Sequence, residues 1–561
     1  MNHHLAIRTK IIIMLSIMAS LFLVALDQTI VATSLGRIVE EFQSYSMLSW
    51  VITSYMLTTT IAVPIAGKLS DLFGRRIMTI IGVAVFVVGS LASGVSLDMG
   101  QLIASRAFQG IGAGIITANA FTIIGDLFAA RERAKWQGMF GAVFGLSSLI
   151  GPLLGGWLTE GHAILGFVTD WRWTFFINVP VGIIAFILIS TYCPPLKHTK
   201  KPKIDYLGAG LLSLALGTLI LAVANTDTIF KDFLVYSGMA VWQLQAIMYA
   251  IVAVATAAFI YVENRSEQPI LPLSLFKNRN YTLIVSIATF FGAGFMGSII
   301  YLTQFNQQVF GASPTDSGLM LLPMIAGIMI SSISSGQLIS RIGKYKIFMQ
   351  VGFIVATVMM LSLTTLSPDS QFWQEAIMIF LLGLGLGVGM PVINLAIQNE
   401  VDQSELGVAT SSNQLFRGLG STIGIAVFGS ILTAGIVGHL VTVDQSPYLQ
   451  QLSKSPEISQ IGDLGDPDTL LTLNSPDIKK KITDGFDKAL VEMPAAQAIV
   501  AKDNFDKNQE EFSVNIKDSF SNSLRSIFIA SSLLMAMSTV LVFMLKEKEL
   551  KKADSSMTPG I

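Results

Sequence analysis

The chain has 561 residues, 52% hydrophobic and only 13% charged, with a formal net charge of −1 and a mean hydropathy of +0.63. A soluble domain carries about 25% charged residues, so a soluble enzyme or a small secreted module is excluded. The near-neutral charge gives no pull toward nucleic acid, and the single cysteine, Cys193, has no partner for an internal disulfide and reads as a buried small hydrophobe.

About 20 residues of apolar helix cross the ~30 Å hydrocarbon of a bilayer. Blocks of that kind fall at 11–34, 47–66, 77–96, 99–124, 137–158, 173–193, 206–224 and 240–262. Six more fall at 281–302, 317–340, 347–366, 376–398, 407–437 and 526–545, which predicts fourteen spans. Arg8 and Lys10 before the first block suggest a signal peptide, but its length and the many spans after it indicate a retained first helix. The period-two alternation of barrel strands is absent from these blocks.

Lys and Arg in the connecting segments set the orientation. With the N-terminus in the cytoplasm, 22 of them lie inside, Lys197, Lys200, Lys201 and Lys203 included, against Arg37, Arg172 and Lys231 in the short outer loops. Both termini are therefore expected in the cytoplasm, in a multi-pass protein of the plasma membrane. One inner loop, 399–406, is acidic, which counts little in this rule. Residues 438–523 form the only long segment outside the membrane and carry fourteen acidic residues against eight lysines. They read as an extracellular cap or spacer, or as a ligand-binding unit. Amphipathic helix is expected at 475–490 and on the run into Arg525, and loop at 463–468.

The loop after span two, Gly67-Lys-Leu-Ser-Asp71-Leu-Phe-Gly74-Arg75-Arg76, has a weaker copy after span ten, Gly336-Gln-Leu-Ile-Ser340-Arg-Ile-Gly343-Lys-Tyr-Lys346. Superposing them matches spans one to six on spans nine to fourteen, with seven and eight as an inserted pair. Parallel six-helix repeats describe a large class of secondary transporters, with substrate held between the halves. In the first copy Gly67 and Gly74 allow a tight connection. Asp71 can accept hydrogen bonds at a neighbouring helix N-terminus, and Arg75 can pair with Asp126. Ser340 replaces the aspartate in the second copy.

Span four reads Leu102-Ile-Ala-Ser-Arg106-Ala-Phe-Gln-Gly-Ile-Gly-Ala-Gly114, which places a guanidinium inside the hydrocarbon unless it snorkels outward. Span five runs from Gly138 through Gly151-Pro152-Leu-Leu-Gly155-Gly156, with Ser147 where a glycine is usual in the motif it resembles. Glycines permit close helix packing, and Pro152 bends the helix. Together with Leu26-Asp27-Gln-Thr-Ile-Val31, the 171–182 entry to span six and the 407–420 stretch of span thirteen, these segments resemble the major facilitator superfamily. Within it they resemble the fourteen-span drug/proton antiporters of the EmrB/QacA type. The resemblance implies an all-α integral membrane protein of two six-helix bundles plus two inserted helices. It divides the chain into 1–196, an inserted pair at 197–265, and 266–561 with loop 438–523, which it does not cover. It further implies that the 67–75 motif and Asp126 stabilise an outward-facing state, that Arg106 takes part in proton coupling, and that the span-five motif marks exporters.

Within these span limits the only charged side chains are Asp27, Arg106 and Arg417. Low dielectric favours a neutral carboxyl and a nearby cation favours its ionised form, so Asp27 can exchange a proton as its surroundings change. The alternative is a structural ion pair with Arg106 or Arg417. Trp50, Tyr55, Asn119, Phe144, Gln304, Gln307, Gln308 and Asn413, with Arg417, are candidate cavity linings, though each is also an ordinary packing residue. Gly383-Leu-Gly-Leu-Gly-Val-Gly389 lies in a hydrophobic span with no preceding strand, so it is not a dinucleotide loop, and no phosphate-binding loop is written. The five histidines lie in tails, loops or at a span end and indicate no metal site.

The expected activity is proton-driven export of lipophilic cations by alternating access, without enzymatic chemistry, cofactor, nucleotide or nucleic acid, in a monomer. Two alternatives stand beside it. One keeps the fold and exports a metabolite, lipid or siderophore; the other is a non-transporting anchor whose outer loop binds a ligand.

Overall fold

The computed structural model describes residues 5–42, 47–159, 161–164, 167–194, 204–223, 226–312, 314–368, 370–439, 446–453, 464, 469–470, 473, 476–490 and 494–550. The four expected inner lysines 197–203 and most of the expected loop at 463–468 lie outside them.

Fourteen of the described helices are long and apolar enough to cross a membrane. Spans one to eight are Ile7–Val31, Trp50–Phe73, Arg75–Gly94, Met99–Leu127, Ala130–Thr159, Trp173–Tyr192, Tyr206–Val223 and Val241–Glu263. Spans nine to fourteen are Arg279–Gln308, Asp316–Ile342, Lys346–Thr365, Phe372–Glu400, Leu406–Leu432 and Gln497–Met544. Apart from a two-residue hairpin pairing Ala163–Ile164 with Phe167–Val168, the regular structure described is helical.

Both described ends lie on one face, here the terminal face. Lys10 sits over the Phe128 ring at the end of span four, and Leu550 donates its N–H to the Gly343 carbonyl after span ten. The opposite side is the far face. Apolar contact with lipid needs no amphipathic pattern, which is why Ile184, Val254 and Leu533 remain exposed along their helices. Within the first bundle, span two packs on four and span one on five; in the second, ten packs on twelve and nine on thirteen. Spans seven and eight pack on each other, and Leu212, Leu216 and Phe259 meet Ile61 of span two and Leu415 of span thirteen.

Several spans run past their expected limits, among them span two to Phe73, span five from Ala130 and span nine to Gln308, and two differences change the reading. The last helix runs from Ala495 to Met544, about 75 Å at 1.5 Å per residue, so its first half stands clear of the membrane. Against it the outer segment builds a core of its own from Tyr448, Leu449, Leu452, Leu473, Phe505, Phe512 and Ile516, with Phe486 stacked on Phe505 at 4.0 Å. Burial pushes the Tyr448 phenol up, while the Gln509 amide donates to its oxygen at 3.1 Å. The described residues of this segment therefore pack as a cap on the last helix. The expected amphipathic helix at 475–490 is the helix Pro476–Leu490. The second difference is span twelve, whose helix Phe372–Glu400 starts four residues before the expected limit at 376 and so takes in Glu375.

Candidate functional site

Span one brings Asp27 into the middle of the first bundle, where the carboxylate is fully buried. Arg106 of span four pairs with it, Nη1 to Oδ2 at 2.5 Å, and is itself only 2% exposed. Snorkelling of Arg106 to the surface is thereby excluded in this conformation. Gln109, one turn along the same helix, donates to Asp27 Oδ1 at 2.8 Å and accepts from Arg106 Nη1 at 2.8 Å. Asn178 donates to the same carboxylate oxygen at 3.0 Å and to Ser90 Oγ at 3.0 Å. The Tyr55 ring lies 4.1 Å from the guanidinium carbon, and Phe175 lies on it at 5.7 Å. Five spans thus contribute to one sealed polar centre.

The local sequence explains this convergence. Arg106 and Gln109 are three apart on a helix and share a face. Span six passes through Ile177 with helical backbone angles, and the next residue, Asn178, turns its amide inward. A buried ion pair survives only when its remaining polar atoms are matched, and Gln109 and Asn178 supply those matches. Neither was singled out in the sequence. A buried amide one turn from a membrane arginine was the available signal for Gln109, whereas Asn178 had none beyond its motif.

Arg417 does not reach Asp27. It stands half-buried in span thirteen with no described hydrogen-bond or ion-pair partner. Tyr55 is 1% exposed and belongs to the ion-pair centre, not to an open cavity. Trp50 lies at the far face, edge-on to Phe230 at 6.5 Å, beside a depression of about 360 Å³ against the connection of spans seven and eight. Asn119 donates to Ile115 of its own helix, and Asn413 donates to Asn394 at 2.8 Å. Phe144 packs half-buried on the Ile13–Phe121–Phe140 cluster, and Gln304 is half-buried with Oε1 unmatched. These residues are dispersed, and of them only Trp50 borders either of the two described depressions.

The terminal face carries the contacts that join the two bundles. Gly74, at φ +96°, turns the chain between spans two and three, a conformation that suits glycine. The turn sets Arg75 against both Asp71 and Asp126, the latter at 3.0 Å. Asp71 Oδ2 accepts from the Val408 N–H at 3.0 Å, at the start of span thirteen's helix. Gly67 meets Ser411 so closely that a Cβ would overlap its hydroxyl. A buried amide relay, unforeseen in the sequence, adds to this closure: Gln137 donates to Gln398 at 2.9 Å, and Gln398 donates to the Phe121 carbonyl at 2.9 Å. Arg131 reaches across to the carbonyls of Leu550 and Arg341 at 3.0 and 3.3 Å.

Span five packs at two levels, on span one within its own bundle and on span ten of the other. Gly151 and Gly155 seat Thr29 and Thr33 of span one, and Gly138 seats the Ser332 backbone of span ten. Pro152 stands inside the continuous helix Ala130–Thr159. Gly156 has open space where a Cβ would be, so close packing does not account for it.

Residues 17–425 match the Major Facilitator Superfamily family model. The chain is 36% identical over 425 residues to the multidrug transporter protein MdtP of Bacillus subtilis, covering 76% of each chain. It is 34% identical to the multidrug resistance protein 3 of the same organism, over 76% of this chain and 80% of that one. It is 30% identical to the efflux pump dotC of Dothistroma septosporum, over 75% and 71%. Among solved structures, the proton:xylose symporter XylE shares the fold, with a TM-score of 0.54 and 15% identity over 75% of this chain and 88% of that one. The human organic anion transporter MFSD10 does so at 0.55 and 15%, over 75% and 93%. The chain belongs to the major facilitator superfamily and is a multi-pass membrane transporter, not an enzyme.

Proposed function

We propose that the protein is a proton-coupled multidrug exporter that carries lipophilic cations out of the cell by alternating access. The observation that carries this reading is the sealed Asp27–Arg106 centre in a chain whose relatives are named multidrug transporters and an efflux pump. The basic connecting segments support a cytoplasmic terminal face. On that orientation, the closure of the terminal face by Arg75, Asp71 and Val408 supports reading the described conformation as outward-facing.

Asp27 has no exposure in this state, so drug and proton compete for it indirectly. Protonating Asp27 cancels the charge that holds Arg106. The guanidinium must then find other acceptors, among them Gln109 Oε1 and the Val51 carbonyl, which it already touches at 2.8 and 3.4 Å. Such a change of partners is a two-state event that can bias the packing of spans one, two, four and six. The proton gradient is the energy source and no cofactor is required; the unit is a monomer.

The test is proton release from proteoliposomes on addition of a lipophilic cation, with Asp27→Asn as the comparison. Coupled release by the unaltered protein and its loss in the variant support the reading. Absence of coupled movement for every lipophilic cation overturns it in favour of a metabolite exporter.

A further inference from the structure

Span twelve buries an acid that the centre at Asp27 does not use. Glu375 lies in the first turn of the helix Phe372–Glu400, with no exposure. Asn306, near the end of span nine, is equally buried, and its amide is the polar group close enough to act on the carboxyl. Both oxygens of Glu375 and both polar atoms of Asn306 lack a completed hydrogen bond among the described residues. No salt bridge to Glu375 is present there either, and burial and Asn306 are the influences on it.

The charged groups on the surrounding elements lie elsewhere. Span nine has Arg279, span ten Arg341, span eleven Lys346 and span five Arg131 to Lys135, all toward the terminal face. Span thirteen offers Arg417 near its middle, and the short helix Pro314–Met320 carries Asp316. Asp369 lies outside the described residues.

An ionised carboxylate sealed away from water and cations is strongly disfavoured. The neutral acid has one O–H to donate and one oxygen to accept, which the carbonyl and NH₂ of a single amide complement. Beside the same turn, a far-face depression of about 550 Å³ is lined by Ser367, Ser370, Gln374 and Met378, so only the thickness of the helix separates the acid from open space on that side. By the internal repeat, spans nine and twelve correspond to spans one and four, which hold Asp27 and Arg106. The second bundle therefore places an acid at the matching helix pair, nearer the far face and without a cation.

We propose that Glu375, opposed by Asn306, is a second proton-binding site, loaded from the far face and emptied toward the terminal face when the transporter changes state. This rests on the proton-coupled reading above. Protonation converts carboxylate and proton to the neutral acid, and the return step gives that proton to water on the cytoplasmic side. Two protons entering for one monovalent cation leaving move one net charge, so the membrane potential drives the exchange. One proton for one cation would be electroneutral.

The experiment uses the full chain in proteoliposomes with tetraphenylphosphonium as probe, and applies a pH gradient and a potassium diffusion potential separately. The unaltered protein is expected to respond to both. Glu375→Gln is expected to lose the response to potential by at least tenfold while still responding to the pH gradient, and Glu375→Asp, which keeps a carboxyl, to regain it. Asn306→Leu, which leaves the acid in place, provides a separate check if Glu375→Gln does not fold: its potential-driven flux should shift to a different pH range. An unchanged response to potential in Glu375→Gln, or an unchanged pH profile in Asn306→Leu, overturns the second site alone. A wild-type protein that responds to neither force overturns the proton reading itself.

Discussion

Spans one and four meet at a carboxylate that a guanidinium neutralises, while spans nine and twelve meet at a carboxylate with no such partner. Asp27 is held by Arg106, Gln109 and Asn178; among the described residues, Asn306 is the polar side chain that acts on Glu375. The contrast separates two ways of keeping an acid inside a membrane. One retains the charge and surrounds the carboxylate with three donors, so removing either charge leaves the other exposed to low dielectric. The other avoids charge altogether by holding the proton.

The largest effect expected from this contrast is on the first site. Asp27→Ala leaves Arg106 buried without its counter-ion and should destabilise the folded protein by about 3–5 kcal/mol. Thermal unfolding in detergent measures it, and Asp27→Ala with Arg106→Met should recover part of the loss. A single variant as stable as the unaltered protein would show that Arg106 has another sufficient partner.

The closure at the terminal face comes next. Asp71→Ala removes the acceptor for the Val408 N–H and one of two carboxylates on Arg75. A coupling of about 1–3 kcal/mol should shift the population away from the closed terminal face by roughly 5–150-fold. Distance measurements between spin labels on the terminal ends of spans two and thirteen read that shift; an unchanged distribution would remove Asp71 from the closure.

At the second site the same method should give a small number. Glu375→Gln replaces a neutral acid by a neutral amide of the same shape and should change stability by less than about 1 kcal/mol. A loss as large as that of Asp27→Ala would erase the difference between the sites and show that Glu375 is ionised with a partner.

The smallest effect belongs to an exposed pair at the far face, Glu41 and Arg172, 2.7 Å apart. The Arg172 hydrogen bond lowers the Glu41 carboxyl below its usual value. Its stabilisation is therefore present above the unfolded-state value and fades as pH falls through the lowered folded-state value. Exposed pairs contribute about 0–1 kcal/mol, so Glu41→Gln should alter the acid limb of the stability profile slightly and leave neutral pH nearly unchanged. A marked loss at neutral pH would reveal a buried role.

Much of this architecture is legible before folding because a membrane makes hydrophobic length and loop charge informative. The fourteen blocks, the 67–76 loop and the approach of Arg75 to Asp126 all follow from local patterns. Asp27 and Arg106 stand out because charge in a span is rare. What the sequence conceals depends on three-dimensional placement. Gln109 and Asn178 are neutral and common, and only the convergence of five spans makes them ligands of one carboxylate. Glu375 escapes notice because hydropathy places the start of its span one residue beyond it. The cap around Tyr448 and Phe505 is hidden because its apolar residues are scattered along a polar segment and gather only after folding.

The most direct test of the central claim is proton movement coupled to export of a lipophilic cation, measured in proteoliposomes containing equal amounts of folded unaltered, Asp27→Asn and Asp27→Glu protein. The account predicts coupled movement in the unaltered protein, its loss in Asp27→Asn by two orders of magnitude or more, and partial return in Asp27→Glu. Coupled movement at the unaltered rate in Asp27→Asn would contradict it.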